Sequence, residues 1–422
     1  MLRTIRTFLL VLPVTAILFW TGLTSAQVED IDQFRGPNRA GLCSETGLLQ
    51  EWPEGGPELL WQIEGLGDGY SSVSIVDGRL ITMGDLDHDG EEKQYVMAYD
   101  LQTREELWST LVGPEHRDGP RCTPTVDGDL TYVVGTSGDL LCVKTETGEP
   151  VWSKNFGEDF NGRMMSGWRY SESPLVDGDK LLVTPGGPDA MMAALDKKTG
   201  ETLWTCAADD NGAGYSSIVV SEACGVRQYV QVYGHGIFSA AADDGRLLWK
   251  YDRVSNGTAN ITNPIVRDDY VFVTTSYRTG SALLHLNSNG DGIAVTEVWF
   301  VDHNVFENHH GGVVLLGDYI YGGDGQNRGT PVCLELMTGE IAWKADPPGR
   351  GSAAVLYADG QIIFRYDSGE TFLIEATPDA FKINGRFEPP TDRGKAWAHP
   401  VIHDGKLYLR HGNILCCFDV KE

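Results

Sequence analysis

Ten residues have the types and placement to hold a ligand or a metal: Arg121, Arg169, Tyr170, Glu172, Asn260, Asn263, His309, His310, Trp397 and His399. They fall in short polar stretches: Gly69-Tyr70-Ser71-Ser72, Arg121-Cys122-Thr123, Arg169-Tyr170-Ser171-Glu172-Ser173, Tyr215-Ser216-Ser217, Asn260-Ile261-Thr262-Asn263, His309-His310, Gly351-Ser352 and Trp397-Ala398-His399. Each stretch precedes a short alternating apolar run. His309, His310 and His399 offer imidazole nitrogens to a transition metal. Arg121 and Arg169 suit an anion, and the aromatic residues suit the flat face of a small ligand. The competing reading is that these groups hydrogen-bond the surrounding loops and water.

Two further features carry chemistry. Eight cysteines all lie beyond residue 26, which invites a disulfide framework. No Cys-x-x-Cys-His occurs, so covalent attachment of a c-type haem is excluded. Asp85-Leu86-Asp87-His88-Asp89-Gly90 matches the first half of a calcium loop, but Val96 stands where the bidentate Glu belongs. Asn287-Ser288-Asn289-Gly290-Asp291-Gly292 is a weaker version, with Val298 at the twelfth place. Polar hairpin tips are the expectation for both.

A repeat must position these groups. Its clearest copy is Asp196-Lys197-Lys198-Thr199-Gly200-Glu201-Thr202-Leu203-Trp204. Trp61, Trp108, Trp152, Trp204, Trp249, Trp299, Trp343 and Phe387 follow at intervals of 47, 44, 52, 45, 50, 44 and 44 residues. Between them recurs Asp-Gly flanked by apolar runs, as at Asp77-Gly78, Asp127-Gly128, Asp177-Gly178, Asp359-Gly360 and Asp404-Gly405. That pair marks a tight hairpin, because both turn residues need positive φ. Each period therefore holds about four short antiparallel strands, one propeller blade, and eight periods make eight blades. The polar stretches precede the innermost strands and so converge at one mouth of the axial channel. The chain stops after Cys416-Cys417-Phe418-Asp419, without a Trp-bearing strand, whereas Glu58-Leu59-Leu60-Trp61 supplies one with nothing before it. The first strand is expected to close the last blade and hide its edge. Aligned on the repeat, Cys142, Cys333 and Cys417 occupy a slot that elsewhere favours Ala, as small buried hydrophobes would.

Composition narrows the partners. A net charge of −27 repels nucleic acid and anionic membrane surfaces. Arg3 and Arg6, the apolar run Phe8–Trp20 and Thr24-Ser25-Ala26 read as a cleaved secretory leader without a lipid-anchoring Cys. The leader holds both arginines and no carboxylate, so its loss takes the net charge to −29.

The Asp-x-x-Thr-Gly-x-x-x-Trp repeats resemble the tryptophan-docked repeats of the pyrroloquinoline-quinone (PQQ) propeller superfamily. That superfamily includes quinoprotein alcohol dehydrogenases and the propeller lipoprotein of the outer-membrane β-barrel assembly machinery. The resemblance covers about residues 55–422. Gln33-Phe34-Arg35-Gly36-Pro37, Arg169-Tyr170-Ser171-Glu172-Ser173-Pro174, Asn308-His309-His310-Gly311-Gly312 and Trp397-Ala398-His399-Pro400 also resemble strings in secreted bacterial PQQ-like repeat proteins. The dehydrogenase branch implies a Ca²⁺ bearing PQQ, here at Glu172 with Asn260 or Asn263. It also implies a vicinal-cysteine ring beside the quinone. Cys416 and Cys417, however, sit inside a predicted strand where neighbours face opposite ways.

The sequence thus predicts an all-β, eight-bladed propeller over 58–422, a leader over 1–26, and a lead segment over 27–57 packed across one face. The expected function is a monomeric, non-catalytic binding or scaffold protein, periplasmic or secreted, with no integral span after leader removal. Its partner would be an envelope protein or a small polar ligand. The alternative is a PQQ- and Ca²⁺-dependent oxidoreductase of alcohols or sugars, since one propeller serves many functions.

Overall fold

The computed structural model describes residues 29–290 and 292–422; the leader expected over 1–26 lies outside them. Eight sheets of four antiparallel strands follow one another around a ring, and one carries a fifth strand. The innermost strands, in blade order, are Ser74–Val76, Thr125–Asp127, Leu175–Asp177, Val219–Ser221, Ile265–Arg267, Val313–Leu316, Ala353–Ala358 and Val401–His403. Tight turns join several of them to the next strand, with φ of 48° and 72° at Asp77-Gly78 and 51° and 66° at Asp404-Gly405. Those angles fit the right-handed twist of the flanking strands. Among the described residues no helix is long and apolar enough to cross a membrane.

Tryptophan docking holds adjacent blades together. Trp108 Nε1 donates to Thr145 O (3.1 Å), Trp152 to Lys197 O (3.1 Å), Trp299 to Leu336 O (2.9 Å) and Trp343 to Thr377 O (2.8 Å). Each acceptor lies in the turn of the following blade, and a glycine of that turn lies under the rings of Trp108, Trp152 and Trp299, whereas Phe381 packs against Trp343. A Cβ on Gly200, where φ is 74°, would come within 2.7 Å of Trp152. Blade 5 carries the long hairpin Gly280–Asn289/Gly292–Asp302 in place of the Thr-Gly-Glu turn. Trp249 accordingly donates to Gln228 Oε1 of its own blade (2.7 Å).

The ring closes as expected. Glu58–Glu64 pairs antiparallel with Ile414–Asp419, bringing Trp61 opposite Cys417. Cys142, Cys333 and Cys417 lie opposite Tyr132, Tyr321 and Tyr408, and all three are fully buried. Cys416 and Cys417 pack into two different clusters, one on each face of their strand. All eight cysteines are free thiols.

The lead segment does more than pack across a face: its first half enters the axis, and its second half crosses the turns of blades 7 and 8, where Leu48 N donates to Asp359 Oδ2 (3.0 Å) and Glu45 accepts from Asp404 N (2.8 Å). Ile31 exchanges both backbone hydrogen bonds with Ile75 (2.9 and 2.8 Å), and Leu42–Cys43 adds parallel to Ala353–Ala358 as the fifth strand of blade 7. The physical reason is that the innermost strands present unpaired backbone edges to the channel, and an extended segment satisfies them. Arg39, 3% exposed, donates Nη1 to Ser173 O (2.8 Å) and Ile218 O (3.2 Å) and Nη2 to Pro174 O. Arg35 donates Nη2 to Val313 O (2.6 Å) and Ala40 O (3.2 Å). These two cations bind carbonyls across the channel and form no ion pair among the described residues, and burial pulls both pKa values down to about 10.

Candidate functional site

The stretches ahead of the innermost strands do converge, and a belt of hydrogen bonds fixes their register. Ser72 N donates to Thr123 Oγ1 (3.3 Å), Thr123 N to Ser173 Oγ (2.9 Å), Ser173 N to Ser217 Oγ (3.0 Å) and Ser217 N to Asn263 Oδ1 (2.9 Å). Each blade thereby positions the next through one polar side chain, from blade 1 to blade 5. Inside the belt lies a cavity of about 1050 Å³, walled by these stretches, by the lead segment, and by the innermost strands of blades 4 to 6.

One wall is aromatic. Tyr70 lies 4.5 Å from Trp397, Trp397 4.6 Å from His310, His310 4.2 Å from His309, and His309 5.2 Å from Tyr277, centroid to centroid. Arg121 faces the same space, held by Asp118 Oδ2 (3.1 Å) and Trp168 O (2.9 Å). Burial lowers its pKa while Asp118 opposes the shift. The carboxylates in the wall are Glu222, Asp268 and Asp269, at the far ends of the strands of blades 4 and 5. The mouth is therefore basic and aromatic, and the opposite end acidic.

Of the ten candidate residues, Arg121, Asn263, His309, His310, Trp397 and His399 line this cavity, and Arg169, Tyr170, Glu172 and Asn260 do not. Arg169 is exposed at φ 70°. Tyr170 is buried, its hydroxyl donating to Pro185 O (2.8 Å). Glu172 is 3% exposed and turned between blades 3 and 4, where Oε2 accepts from Thr184 N and Oε1 from Thr184 Oγ1, both at 2.7 Å. Burial pushes its carboxyl up to about 7 against these hydrogen bonds. Asn260 is fully buried, donating to Tyr233 O (2.9 Å) and accepting from Asn256 N (3.0 Å). Glu172 and Asn260 thus spend their oxygens inside the protein, and they do not fit a Ca²⁺ that carries a quinone in the cavity.

The three histidines adjoin the cavity without forming a ligand set. His309 Nδ1 lies 2.7 Å from Ser352 Oγ and Nε2 3.0 Å from Tyr277 Oη, so both nitrogens are engaged. His399 Nδ1 faces Arg35 Nη1 at 3.5 Å. Desolvation holds His309 near pKa 4 and puts His310 and His399 well below 6.5. Among the described residues, no three His, Cys, Asp or Glu side chains are placed to hold a metal ion. The Asp85–Gly90 loop is part of a long hairpin, and Asp87 Oδ1 accepts from Gly90 N (2.8 Å) as a turn cap.

Sequence reasoning missed the lead segment's contribution, Phe34, Arg35, Asn38 and Arg39, and the loop residues Tyr277, Gln326 and Asn327. Two arginines around Gly36-Pro37 in so acidic a chain were the available signal.

A family model described as outer membrane protein assembly factor BamB matches residues 92–345. Among curated proteins, the chain is 26% identical over 254 residues to the outer membrane protein assembly factor BamB of Shewanella oneidensis, covering 56% of this chain and 60% of that one. It is 25% identical over 154 residues to a quinoprotein ethanol dehydrogenase of Pseudomonas putida, covering 32% and 24%. The matches thus span less than two thirds of these relatives. Among solved structures, BamB from Moraxella catarrhalis superposes with TM-score 0.62 at 15% identity, over 86% of this chain and 99% of that one. The quinohemoprotein alcohol dehydrogenase of Comamonas testosteroni superposes with TM-score 0.65 at 13% identity, over 93% and 81%. At such identities the structural likeness speaks for the fold alone.

Proposed function

Since the chain belongs to the family described as outer membrane protein assembly factor BamB, we propose that it is an exported, non-catalytic binding propeller of the cell envelope, with the axial cavity as its ligand site. The observation that carries this reading is the distribution of charge in the cavity. The aromatic mouth presents Arg121, hydroxyls and neutral imidazoles; Asp118 there is engaged by Arg121, Glu172 is sealed between blades, and the lining carboxylates Glu222, Asp268 and Asp269 stand at the opposite end. A dehydrogenase needs a base within hydrogen-bond reach of the substrate proton. The arrangement suits recognition, in which a few polar groups orient a ligand against apolar walls.

The quinoprotein relatives favour a second reading, a PQQ-dependent oxidoreductase, with Trp397 and Tyr70 as the flat surface for the quinone. One experiment separates the two. Protein exported with its own leader is titrated with PQQ and Ca²⁺ and assayed for alcohol- or sugar-dependent dye reduction. In parallel, a photo-crosslinker replacing Tyr70 reports contacts in intact cells. Specific envelope adducts without PQQ-dependent turnover support the binding propeller. Saturable, PQQ-dependent turnover overturns it.

A further inference from the structure

The eight innermost strands present the same backbone position to the axis: the residue one pair back from the closing turn. It is Ile75, Val126, Val176, Val220, Val266, Leu315, Tyr357 and Ile402 in blade order. Three of these slots are filled by the lead segment. Ile75 N and O pair with Ile31, Val126 N donates to Asp32 O (2.8 Å), and Tyr357 N donates to Gly41 O (2.9 Å). Ile31 and Asp32 are consecutive residues, so one extended dipeptide serves two neighbouring blades.

Val220, Val266 and Leu315 of blades 4, 5 and 6 line the cavity, and their axis-facing backbone groups have no backbone partner among the described residues. All three are only partly buried. They form a continuous arc of open strand edge in the channel where the chain's own lead adds as strand on the other side. Nearby, Arg35 Nε and Asn263 Nδ2 are buried in the wall without an acceptor among the described residues, and Arg121 stands at the mouth. Backbone carbonyls and a carboxylate would satisfy these donors, and burying them unpaired is costly.

We propose that blades 4 to 6 extend this set of strand additions with an extended peptide of a partner protein, whose free carboxylate points toward Arg121. The peptide passes from one blade to the next as Ile31-Asp32 does, one residue per blade, giving main-chain hydrogen bonds to Val220 and Val266 in turn. Strand addition takes its affinity from the backbone and its selectivity from side-chain pockets. Here the pockets are the aromatic wall at one end and the acidic rim of Glu222, Asp268 and Asp269 at the other. The proposal rests on the binding-propeller reading and names its partner class.

The probe is a dye-labelled hexapeptide of alternating Thr and Val with a free C-terminal carboxylate, compared with twins that are amide-capped or N-methylated at alternate residues. Binding to the mature chain is read by fluorescence anisotropy and by hydrogen exchange. The expected result is saturable binding, with slowed exchange in segments 218–222 and 264–268. The N-methylated twin should bind at least about tenfold more weakly, the effect of losing one or two backbone hydrogen bonds. Amide capping and Arg121→Gln should each weaken binding as well. Val220→Pro, which deletes one edge N–H, should do the same; should that variant fold poorly, the N-methylated twin tests the same bond on the unaltered protein. Absence of saturation at millimolar probe, equal binding of the N-methylated twin, or protection elsewhere overturns the inference. PQQ-dependent turnover would remove the binding-propeller reading while leaving a positive peptide result standing. Envelope adducts without peptide binding would remove this inference alone.

Discussion

Replacing Glu172 with Gln should make the protein more stable at pH 8 and less dependent on pH. The carboxyl lies 3% exposed between blades 3 and 4, and burial, the dominant effect, raises it from 4.5 to about 7. In the unfolded chain it ionises above 4.5, while the fold keeps its proton until about 7. The native state therefore binds more protons across that window, and stability must fall as pH rises through it, levelling off above 7. At 1.36 kcal/mol for each pH unit between the two values, the full fall is about 3 kcal/mol. Other groups titrate nearby: Asp85, also raised to about 7, acts with the same sign, and His309, held near 4, acts oppositely. Subtracting variant from wild type at each pH cancels them. The assay is urea unfolding of both proteins from pH 4.5 to 8.5. The Gln variant should gain on the wild type by about 3 kcal/mol between the ends of that range. Below pH 5 it should be slightly the weaker, because Gln must accept from Thr184 N with one oxygen and orient its amide toward Thr184 Oγ1. A difference that stays flat with pH, or a variant that loses ground as pH rises, would refute the reasoning. It would mean that Glu172 is ionised and supports the neighbouring Arg39.

Three other outcomes follow from the geometry. Gly200→Ala meets both a positive φ and the Trp152 ring, and should cost about 1–3 kcal/mol in urea unfolding; a neutral result would mean that the docked ring has room to move. Arg39→Met removes donors to three carbonyls and should release the lead, seen as faster hydrogen exchange over residues 29–43 and a loss of about 3 kcal/mol; unchanged exchange would show that strand pairing holds the lead unaided. Thiol titration without reductant should count eight cysteines in denaturant and react slowly in the native state, where burial pushes Cys142, Cys206 and Cys417 up to about 12; fewer than eight in denaturant would reveal a disulfide.

The fold was legible because a propeller repeats its reasons. Trp108, Trp152 and Trp299 each take a glycine and a carbonyl from the next blade, so the spacing of Trp and Thr-Gly-Glu is itself a map of blade contacts. The same alignment held information about the site that reading the stretches one by one did not extract. In register, Tyr70, Arg121, Ser171, Tyr215 and Trp397 share a position that lines the cavity. The next position holds Ser71, Cys122, Glu172, Ser216 and Ala398, each at most 3% exposed. Glu172 therefore occupies a slot where its counterparts are Ser, Cys and Ala, and the two-residue period of an extended chain turns it away from the axis. A carboxylate in a column of small buried residues is a core group with a shifted pKa before it is a ligand. No such column exists for the lead. Arg39 bonds carbonyls 134, 135 and 179 residues away, and Ile31 pairs with a strand edge that any extended residue would satisfy. Backbone edges carry no side-chain signature, which is why the lead's path was hidden from the sequence. By the same logic, the open edges at Val220, Val266 and Leu315 can take up a partner whose sequence has no likeness to the lead.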